Sequence, residues 1–398
     1  MKLYTTKSDV TSAKKIVLDD MILTKDMPTK AGSKMLDGFM SLFDAEVVLR
    51  LEKAGYAISG KADVGEFAID LLGETGYESD AIVNGVIKNA SAEILKTEDV
   101  VATVNMDVNG SVRRAAAQNG LVSLKPTYGT VSRFGTIPVV CSGETVSVMA
   151  KNADGCAEVL SAIAGHDDKD GTSLSEELCL SVKTSTKKAS KVALVKSMIA
   201  GTDSAVAEKI NNAVDVLKAN GVEVVEIESD VIAASKVAWN ILMCAELCNN
   251  VSRYDGVKYG YRSQNFTNID ELYTNSRTEA FGELLKTAIL FGSETLSTDN
   301  YMKVYDKALR TRRVIAEKFA EIFEEFDAVL IPACSKLEYK SDDVSADKYI
   351  AFDENFYTAP ASVTGLPAVV AGGVQLVGKA FSDNMLLELA KILEKEGK

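Results

Sequence analysis

The chain has a single histidine among 398 residues, and this scarcity excludes several kinds of catalytic site. His166 lies in the polar run Gly-His-Asp-Asp-Lys-Asp, which is typical of a surface loop. A Ser-His-Asp triad, a Cys-His pair or a multi-histidine metal site would each depend on this one residue. We therefore expect any catalysis by this protein to work without histidine.

Cysteine pairs and nucleotide motifs are also lacking. The six cysteines include no CxxC pair, a spacing that predicts reduced thiols and neither a disulfide framework nor a zinc site. Neither GxGxxG nor GxxxxGK followed by Ser or Thr occurs, so the common glycine-rich phosphate loops are missing. The sequence therefore predicts no metal and no other cofactor.

Basic residues are fewer than acidic ones, 44 against 57, which gives a net charge of −13. A surface of that sign repels phosphate backbones, so we expect no direct contact with nucleic acid. The N-terminus has no apolar signal segment, and the longest charge-free run, residues 356–378, contains Pro and Gly. We interpret that run as a buried strand, a turn and a second strand, not a membrane span. These features favour a cytoplasmic protein that does not enter a membrane.

Helical and strand patterns alternate at both ends of the chain, which predicts an α/β fold. Helical periodicity is found at 44–54, 204–220, 301–326 and 382–395, and strand patterns at 56–61, 191–196, 222–227 and 328–334. The strand–helix–strand order over 191–227 favours parallel pairing. We expect a single domain over 1–398, with the polar stretch 167–190 as a surface excursion.

The most informative stretch is residues 105–135, NMDVNGSVRRAAAQNGLVSLKPTYGTVSRFG. It resembles the amidase-signature family, whose members carry Asp-Thr-Gly-Gly-Ser-Ile-Arg followed by Gly-Leu-Lys-Pro-Thr-Tyr-Gly-Arg-Val-Ser-Arg, and within that family the glutamyl-tRNA(Gln) amidotransferase A subunits. Segments 24–36, 60–68, 252–261 and 358–367 resemble further motifs of the same family. The resemblance implies a large mixed β-sheet covered by helices on both faces, with a shortened N-terminal region.

The same resemblance implies a hydrolytic chemistry that needs no histidine. In the family a serine attacks an amide carbonyl, a second serine on a cis peptide relays the proton to a neutral buried lysine, and backbone N–H groups hold the oxyanion. In this chain the nucleophile position is retained as Ser111. The oxyanion positions are the backbones of Val108, Asn109 and Gly110.

The two proton-handling positions differ from the family. Aligning Val-Leu-Asp-Asp-Met with the family's Ile-Lys-Asp-Asn-Ile places Leu18 at the lysine, and counting back 24 residues from Ser111 places Ile87 at the relay serine. Aliphatic side chains can neither accept nor donate a proton in catalysis. We therefore expect these positions to be packed like a hydrophobic core and the protein to lack amide hydrolysis. The rival hypothesis is a working amidase with a displaced lysine, for which Lys25 and Lys88 are the candidates.

The family's substrate-binding positions are only partly retained. Arg312 matches the arginine that grips an α-carboxylate, and the alternative is a helix-face arginine paired to a glutamate. Tyr259 and Tyr261 match pocket tyrosines, while Asn355 replaces an acidic residue. The resemblance therefore implies a binding or assembly role beside a partner subunit of the amidotransferase type, with an amino-acid-like small ligand. The alternative is an active amidase or glutaminase that supplies ammonia for tRNA-dependent transamidation.

Overall fold

The structure, a computed structural model, describes residues 1–12, 14–184 and 187–394. In these ranges it has thirteen strands: β1 Tyr4–Lys7, β2 Lys15–Asp19, β3 Ala57–Ala62, β4 Ile82–Val83, β5 Val86–Ile87, β6 Ala102–Asp107, β7 Val122–Lys125, β8 Thr145–Ala150, β9 Lys191–Val195, β10 Glu223–Ile227, β11 Ala328–Pro332, β12 Ala368–Ala371 and β13 Val374–Gly378. The helices are α1 Glu46–Lys53, α2 Ala90–Thr97, α3 Ser111–Asn119, α4 Ala153–Ile163, α5 Glu176–Thr184, α6 Ser204–Ala219, α7 Asp230–Ala233, α8 Ser235–Val251, α9 Ile269–Ala280, α10 Glu283–Thr295, α11 Asp306–Glu325, α12 Ser341–Ala346, α13 Ile350–Asp353, α14 Asn355–Thr364 and α15 Asp383–Glu394.

Eleven of the strands form one mixed sheet in the order β1-β3-β2-β6-β8-β7-β12-β13-β11-β9-β10. The pairs β3–β2, β2–β6, β11–β9 and β9–β10 are parallel. The pairs β1–β3, β6–β8, β8–β7, β7–β12, β12–β13 and β13–β11 are antiparallel. Helices cover both faces, with α2 and α3 on one side and α1 and α4 on the other. The expected α/β class and mixed sheet are confirmed.

Local signals explain why the predicted elements form. Asp203 caps α6, because its side chain accepts from the Val206 N–H at 2.8 Å. Ile210 and Leu217 lie on the buried face of that helix, and Gly221 follows its end with φ of 82°. The chain then enters β10, which pairs in parallel with β9 as the strand–helix–strand pattern predicted.

The interpretation of residues 356–378 is partly wrong. The end of the run is a strand, a turn and a strand, but its beginning is the buried helix α14, with Pro360 inside it. Eight of the ten α14 residues are buried. A short apolar run buried on all sides has no periodicity that separates a helix from a strand, which explains the error.

Two further segments refine the sequence-based expectations. The helix expected at 301–326 begins with a π-turn at Tyr301–Tyr305 before the regular helix α11. The polar stretch 167–190 is mostly exposed but contains α5, whose Cys179 and Val182 are fully buried. Residues 185 and 186 of that stretch, and residue 395 of the last predicted helix, lie outside the described residues.

One helical stretch, Asp230–Val251, is long and apolar enough by composition to cross a membrane, with a mean hydropathy of 1.5. Half of that apolar window is buried inside the fold. Its longer part, α8, packs against α10, α11 and α14, and its single tryptophan, Trp239, is 1% exposed. The contacts are those of a core helix of a folded domain.

Candidate active site around Ser111

Ser111 is the first residue of α3, which follows strand β6 after the turn at residues 108–110. The turn between them needs Gly110, which has φ of 80° and whose position has no room for a Cβ because Thr358 packs against it. Ser111 is 7% exposed. The chain therefore presents Ser111 on a tight strand-to-helix turn.

The cavity beside Ser111 is very small. Its volume is about 20 Å³, which is room for a single water molecule. Its polar lining consists of carboxyls, amides and hydroxyls and includes no lysine or arginine: Asp19, Asp63, Asp70, Asn89, Ser91, Asn105 and Ser111. Among the described residues, none forms a hydrogen bond with the Ser111 hydroxyl that would remove its proton. A cavity of this volume has no space for a substrate amide.

The structure places Leu18, the position predicted to match the family's lysine, on the opposite face of the sheet from α3. Successive strand residues point to opposite faces of a sheet. On β2, Val17 packs in the same core as α3, whereas Leu18 lies in the core on the other side, beside Val104 of β6. Leu18 therefore points away from Ser111. The next residue, Asp19, lines the cavity.

Asp19 accepts two hydrogen bonds from the backbone around it. Its Oδ1 accepts from the Met21 N–H at 3.1 Å, and its Oδ2 accepts from the Met106 N–H at 2.5 Å. These bonds tie the ends of β2 and β6 together. The residue that faces Ser111 from this strand is thus a carboxyl with a structural role, not an aliphatic side chain.

Ile87, predicted at the relay position, is not a lining residue of the Ser111 cavity. It ends a two-strand hairpin, β4–β5, whose turn has Asn84 and Gly85 both at positive φ, 52° and 77°. This is the geometry of a type I′ turn. Ile87 is 2% exposed and donates its N–H to Tyr339 O at 2.9 Å. The hairpin, residues 82–87, contains no serine.

The serine that the structure does bring to the cavity is Ser91, at the start of α2. Its Oγ donates to Asn105 Oδ1 at 2.7 Å, inside the buried layer beneath Ser111. Sequence reasoning did not single out this residue. Because its hydroxyl proton is held by an amide oxygen, Ser91 has a structural role and not that of a relay.

No lysine of the described chain lines the Ser111 cavity. Lys25 is 57% exposed and pairs with Asp44 at 3.3 Å, and Lys88 does not line the cavity. The two fully buried lysines of the described chain are Lys61 and Lys125. Burial lowers their pKa values, to about 8 for Lys61 despite nearby carboxyls and to about 7 for Lys125, where Arg113 adds to the effect. Neither is a lining residue of the cavity.

The predicted oxyanion turn is packed against other side chains on its far side. Val108 and Asn109 are fully buried. Asn109 donates to Ile69 O at 2.7 Å and accepts from Trp239 Nε1 at 3.2 Å. The Asn355 amide touches that of Asn109, with 2.7 Å between the two side chains. The structure therefore brings Asn355 to the turn, but as a partner of another amide.

Trp239 fills the space that remains next to this turn. Its ring lies directly against the backbone of Gly143, where a Cβ would collide with the ring. Sequence reasoning gave this tryptophan no role. Together with the Asn109–Asn355 contact, it leaves the turn enclosed on both sides.

Arg312 is not positioned as a free carboxylate clamp. It donates to Ser142 Oγ at 3.0 Å and to Ser142 O at 2.8 Å. Ser142 in turn donates its N–H to Glu246 at 3.0 Å and its hydroxyl to the same carboxylate. The alternative of a direct pair with glutamate is also not seen, since Ser142 stands between the two charges.

The predicted pocket tyrosines lie elsewhere. Tyr259 is 41% exposed, and its ring packs at an edge against Tyr254, 6.0 Å away. Tyr261 donates its hydroxyl to Glu279 at 2.6 Å, and Lys34 lies 4.1 Å from its ring centre. Neither tyrosine lines the Ser111 cavity. Of the four predicted binding residues, only Asn355 is near the nucleophile position.

Comparison with known proteins identifies the scaffold. The model of the Amidase family matches residues 15–79 and 98–387. The chain belongs to the Amidase family. The unmatched residues 80–97 contain the β4–β5 hairpin, where the predicted relay position falls. The family match therefore covers the Ser111 turn and skips the hairpin.

The relatives with curated names agree with this assignment. The glutamyl-tRNA(Gln) amidotransferase A subunit of Coxiella burnetii (strain RSA 493 / Nine Mile phase I) is 35% identical over 401 residues, which cover 96% of this chain and 83% of the relative. The protein of the same name from Acinetobacter baumannii (strain AB0057) is 34% identical over 392 residues, covering 93% and 80%.

Two solved structures share the fold. That of the glutamyl-tRNA(Gln) amidotransferase A subunit from Thermotoga maritima has a TM-score of 0.81 at 25% identity and covers 99% of this chain and 87% of its own. That of the native peptide amidase from Stenotrophomonas maltophilia has a TM-score of 0.73 at 23% identity, covering 96% and 82%. The second likeness concerns the fold alone.

In this family member, two carboxyls of the Ser111 cavity, Asp19 and Asp70, have raised pKa values. Burial raises the pKa of Asp19 from 3.8 to about 7, against the effect of its two backbone hydrogen bonds. Burial and the neighbouring Glu74 raise the pKa of Asp70 to about 8. One Asp70 oxygen, Oδ1, is buried without a hydrogen-bond partner. These carboxyls are thus easier to bury in their protonated form.

This protonation predicts a stability that falls as the pH rises. A carboxyl with a raised pKa in the folded state stabilises that state below its unfolded pKa, near 3.8, and loses this contribution as the pH passes the folded value, here about 7 to 8. We expect the melting temperature to be several degrees higher near pH 5.5 than near pH 8. Asp70→Asn, which mimics the protonated acid, should flatten the profile in scanning calorimetry.

The control for the pH experiment is Asp154→Asn. Asp154 is 78% exposed and lies on the surface helix α4, so its substitution should leave the slope between these two pH values unchanged. A melting temperature that rises from pH 5.5 to pH 8 in the native protein would contradict the assignment of protonated carboxyls at the cavity.

Proposed function

We propose that this Amidase-family protein has lost amide hydrolysis and serves in the cytoplasm as a binding or assembly subunit. The observation that carries the proposal is the cavity at Ser111, which holds about one water molecule and is lined by acids, amides and hydroxyls without a lysine. A serine hydroxyl is a poor nucleophile unless a base lies within hydrogen-bond reach. We propose that no group acts as this base here, since no described residue forms a hydrogen bond with the Ser111 hydroxyl and the oxygens of Asp19, which lines the cavity, accept backbone N–H groups.

The energetic consequence is large. Loss of the members of a catalytic triad costs about 10⁴- to 10⁶-fold in rate, and what remains comes from the oxyanion site and from binding. In this chain the space for substrate is also closed, by Trp239 on one side of the turn and by the buried carboxyl layer on the other. The preserved fold and the closed site together favour a role in which the outer surface of the protein binds a partner.

The names of the relatives support a particular kind of partner. Several are named as the A subunit of glutamyl-tRNA(Gln) amidotransferase, so their names place them in a multi-subunit assembly. We propose that this chain associates with a partner subunit of the same type. Its excess of acidic residues argues against direct contact with nucleic acid.

The proposal is tested by measuring ammonia. Purified protein is incubated with L-glutamine or L-asparagine, beside a Ser111→Ala variant and an active relative of the same family. We expect ammonia release at the level of the buffer for both the native protein and the variant, because the hydroxyl that the substitution removes does no chemistry. Release that is present in the native protein and abolished by Ser111→Ala would establish the rival function, an active amidase or glutaminase.

Assembly is tested separately. The full chain is co-expressed with the remaining amidotransferase subunits encoded by the same organism and examined by size-exclusion chromatography with light scattering. A stable complex at micromolar concentration is the expected result. Migration of the chain apart from all of these subunits would contradict the assembly role.

A further inference from the structure

A second and much larger pocket lies on the other side of the loop that borders the Ser111 cavity. Its volume is about 410 Å³, within the range of about 300–1,000 Å³ that small-molecule sites occupy. Glu66 and Thr75 line this pocket, while their loop neighbours Gly65 and Asp70 line the Ser111 cavity. The first residues of α10 and the segment from α12 to Tyr349 complete the walls.

A buried carboxyl without an ion-pair partner lies in this pocket. Glu66 is 3% exposed, and it accepts from Ser33 Oγ at 2.7 Å and from the Gly282 N–H at 2.8 Å. No cation of the described chain forms an ion pair with it. Each carboxylate oxygen has two acceptor positions, so Glu66 retains the capacity to bind a further donor. Burial raises the pKa of Glu66 to about 7, against the effect of its two hydrogen bonds and of nearby Lys286, so a positively charged group bound in the pocket would favour its ionised form.

The rim of the pocket carries one charge of each sign. Lys348 and Glu283 form an ion pair at 2.8 Å, with side chains 63% and 70% exposed. Pairs this exposed contribute little to stability because solvent screens them. Lys348 is therefore free to exchange its partner for the carboxylate of a ligand without a large cost to the fold.

Three of the remaining lining residues, Leu284, Val344 and Tyr349, present apolar surface, next to the hydroxyl side chains of Thr75 and Ser345. Leu284 and Val344 are half-buried, and Tyr349 is 47% exposed beside them. Apolar walls with a few convergent polar groups are the usual composition of a small-molecule site. The pocket thus offers a carboxyl to a cation, an ammonium to an anion, and an apolar surface between or beside them.

We propose that this pocket binds an α-amino acid with an apolar side chain. Its ammonium group is bound by Glu66, its carboxylate by Lys348, and its side chain packs on Leu284, Val344 and Tyr349. The inference goes beyond the proposed function, since it requires nothing of Ser111. It also places ligand binding away from Arg312, which is occupied by Ser142.

The first test uses three probes that differ in their charged groups. L-leucine, isoamylamine and isocaproate are titrated into the full chain by isothermal calorimetry. We expect L-leucine to bind at least about tenfold more tightly than isoamylamine, since a charge-assisted hydrogen bond is lost with the carboxylate, and isocaproate to bind most weakly. Failure of L-leucine to bind, or isocaproate binding as tightly as L-leucine, would overturn the proposal.

Variants then assign the charges. Lys348→Ala should weaken L-leucine about tenfold and leave isoamylamine unchanged. The matched control is Lys196→Ala, which removes a lysine of similar exposure, 61%, from a 2.9 Å ion pair with Glu226 outside the pocket. An equal loss in both lysine variants, or no loss in Lys348→Ala, would overturn the assignment.

Two more variants separate this site from the Ser111 region. Glu66→Gln should weaken L-leucine and isoamylamine alike, and Lys348→Ala keeps the test decisive should the buried substitution impair folding. Ser111→Ala should leave L-leucine binding unchanged. A loss of binding in Ser111→Ala would place the ligand at the Ser111 cavity and reject the pocket proposed here, whatever the result of the ammonia assay.

Discussion

Replacing Arg113 with leucine should lower the free energy of unfolding by about 3–5 kcal/mol, the usual cost of breaking a buried ion pair from one side. Arg113 is fully buried and binds Asp107 through two bonds of 2.8 and 3.0 Å. Its other donors reach three groups of the C-terminal half of the chain: Thr358 O, Ser362 Oγ and Gln375 Oε1. The substitution leaves Asp107 charged, buried and without its partner.

The pKa of Asp107 shows how much it depends on this partner. Burial alone would raise it, yet the adjacent guanidinium keeps it below its usual range. Urea unfolding monitored by circular dichroism measures the loss. The control Arg313→Leu removes an arginine whose side chain is 78% exposed and pairs with Glu317, at an expected cost below about 1 kcal/mol.

A double variant gives a sharper test. Replacing both Arg113 and Asp107 with leucine removes the two charges together, so we expect it to be more stable than Arg113→Leu alone. A double variant that is less stable than the single one would show that the remaining bonds of Arg113, not its charge pair, hold the two halves of the chain together.

Replacing Trp239 with alanine should cost about 3–5 kcal/mol, since it empties a large volume in a close-packed core. The ring is 1% exposed, packs on Gly143 and donates to Asn109. The matched control on the same helix is Val237→Ala, because Val237 is 59% exposed. Chemical denaturation of both variants measures the difference, and equal stabilities would contradict the packing role of Trp239.

The Trp239 variant also tests which feature accounts for the proposed loss of hydrolysis. Truncation opens space next to the Ser111 turn but supplies no base. We therefore expect Trp239→Ala to release no more ammonia from glutamine than the native protein does. Ammonia release gained by this substitution alone would mean that the filled space next to the turn, and not the lack of a base, prevents hydrolysis in the native protein.

Much of the fold could be predicted because its signals are local. The helix α6 has its cap at Asp203 and its stop at Gly221 within one continuous segment, and α1 is followed by Gly55 in the same way. The charge-free run containing Pro360 was harder, since burial on every side removes the periodicity on which such predictions depend.

The site was harder to predict for a related reason. On a strand, a shift of one residue moves a side chain to the other face of the sheet. Leu18, which the sequence predicts at the lysine position, therefore lies in the core on one face of the sheet, while its neighbour Asp19 lines the cavity on the other face. At Ile87 a local signal was present, because Asn84-Gly85 between apolar pairs is a strong hairpin signature. The Asn84-Gly85 turn therefore predicts a hairpin at the position where the resemblance would place the relay serine.

Other features depend on long-range contacts. Trp239 meets Asn109 across 130 positions of sequence, and Glu66 meets Gly282 across 216. No spacing rule relates such residues, so neither the filled turn nor the second pocket could be predicted from one sequence. Both appear only when the helices around the sheet are in place.

The order of the sheet has a consequence for how the chain folds during synthesis. The six strands on one side, β1 to β8 without the hairpin, meet β9, β10 and β11 only through β12 and β13, which end at Gly378. A nascent chain that has not yet emerged to this point carries two incomplete sheets with open edges. Exposed edges are prone to pair with other chains, so ribosome-bound or C-terminally truncated forms should depend on chaperones far more than the finished protein.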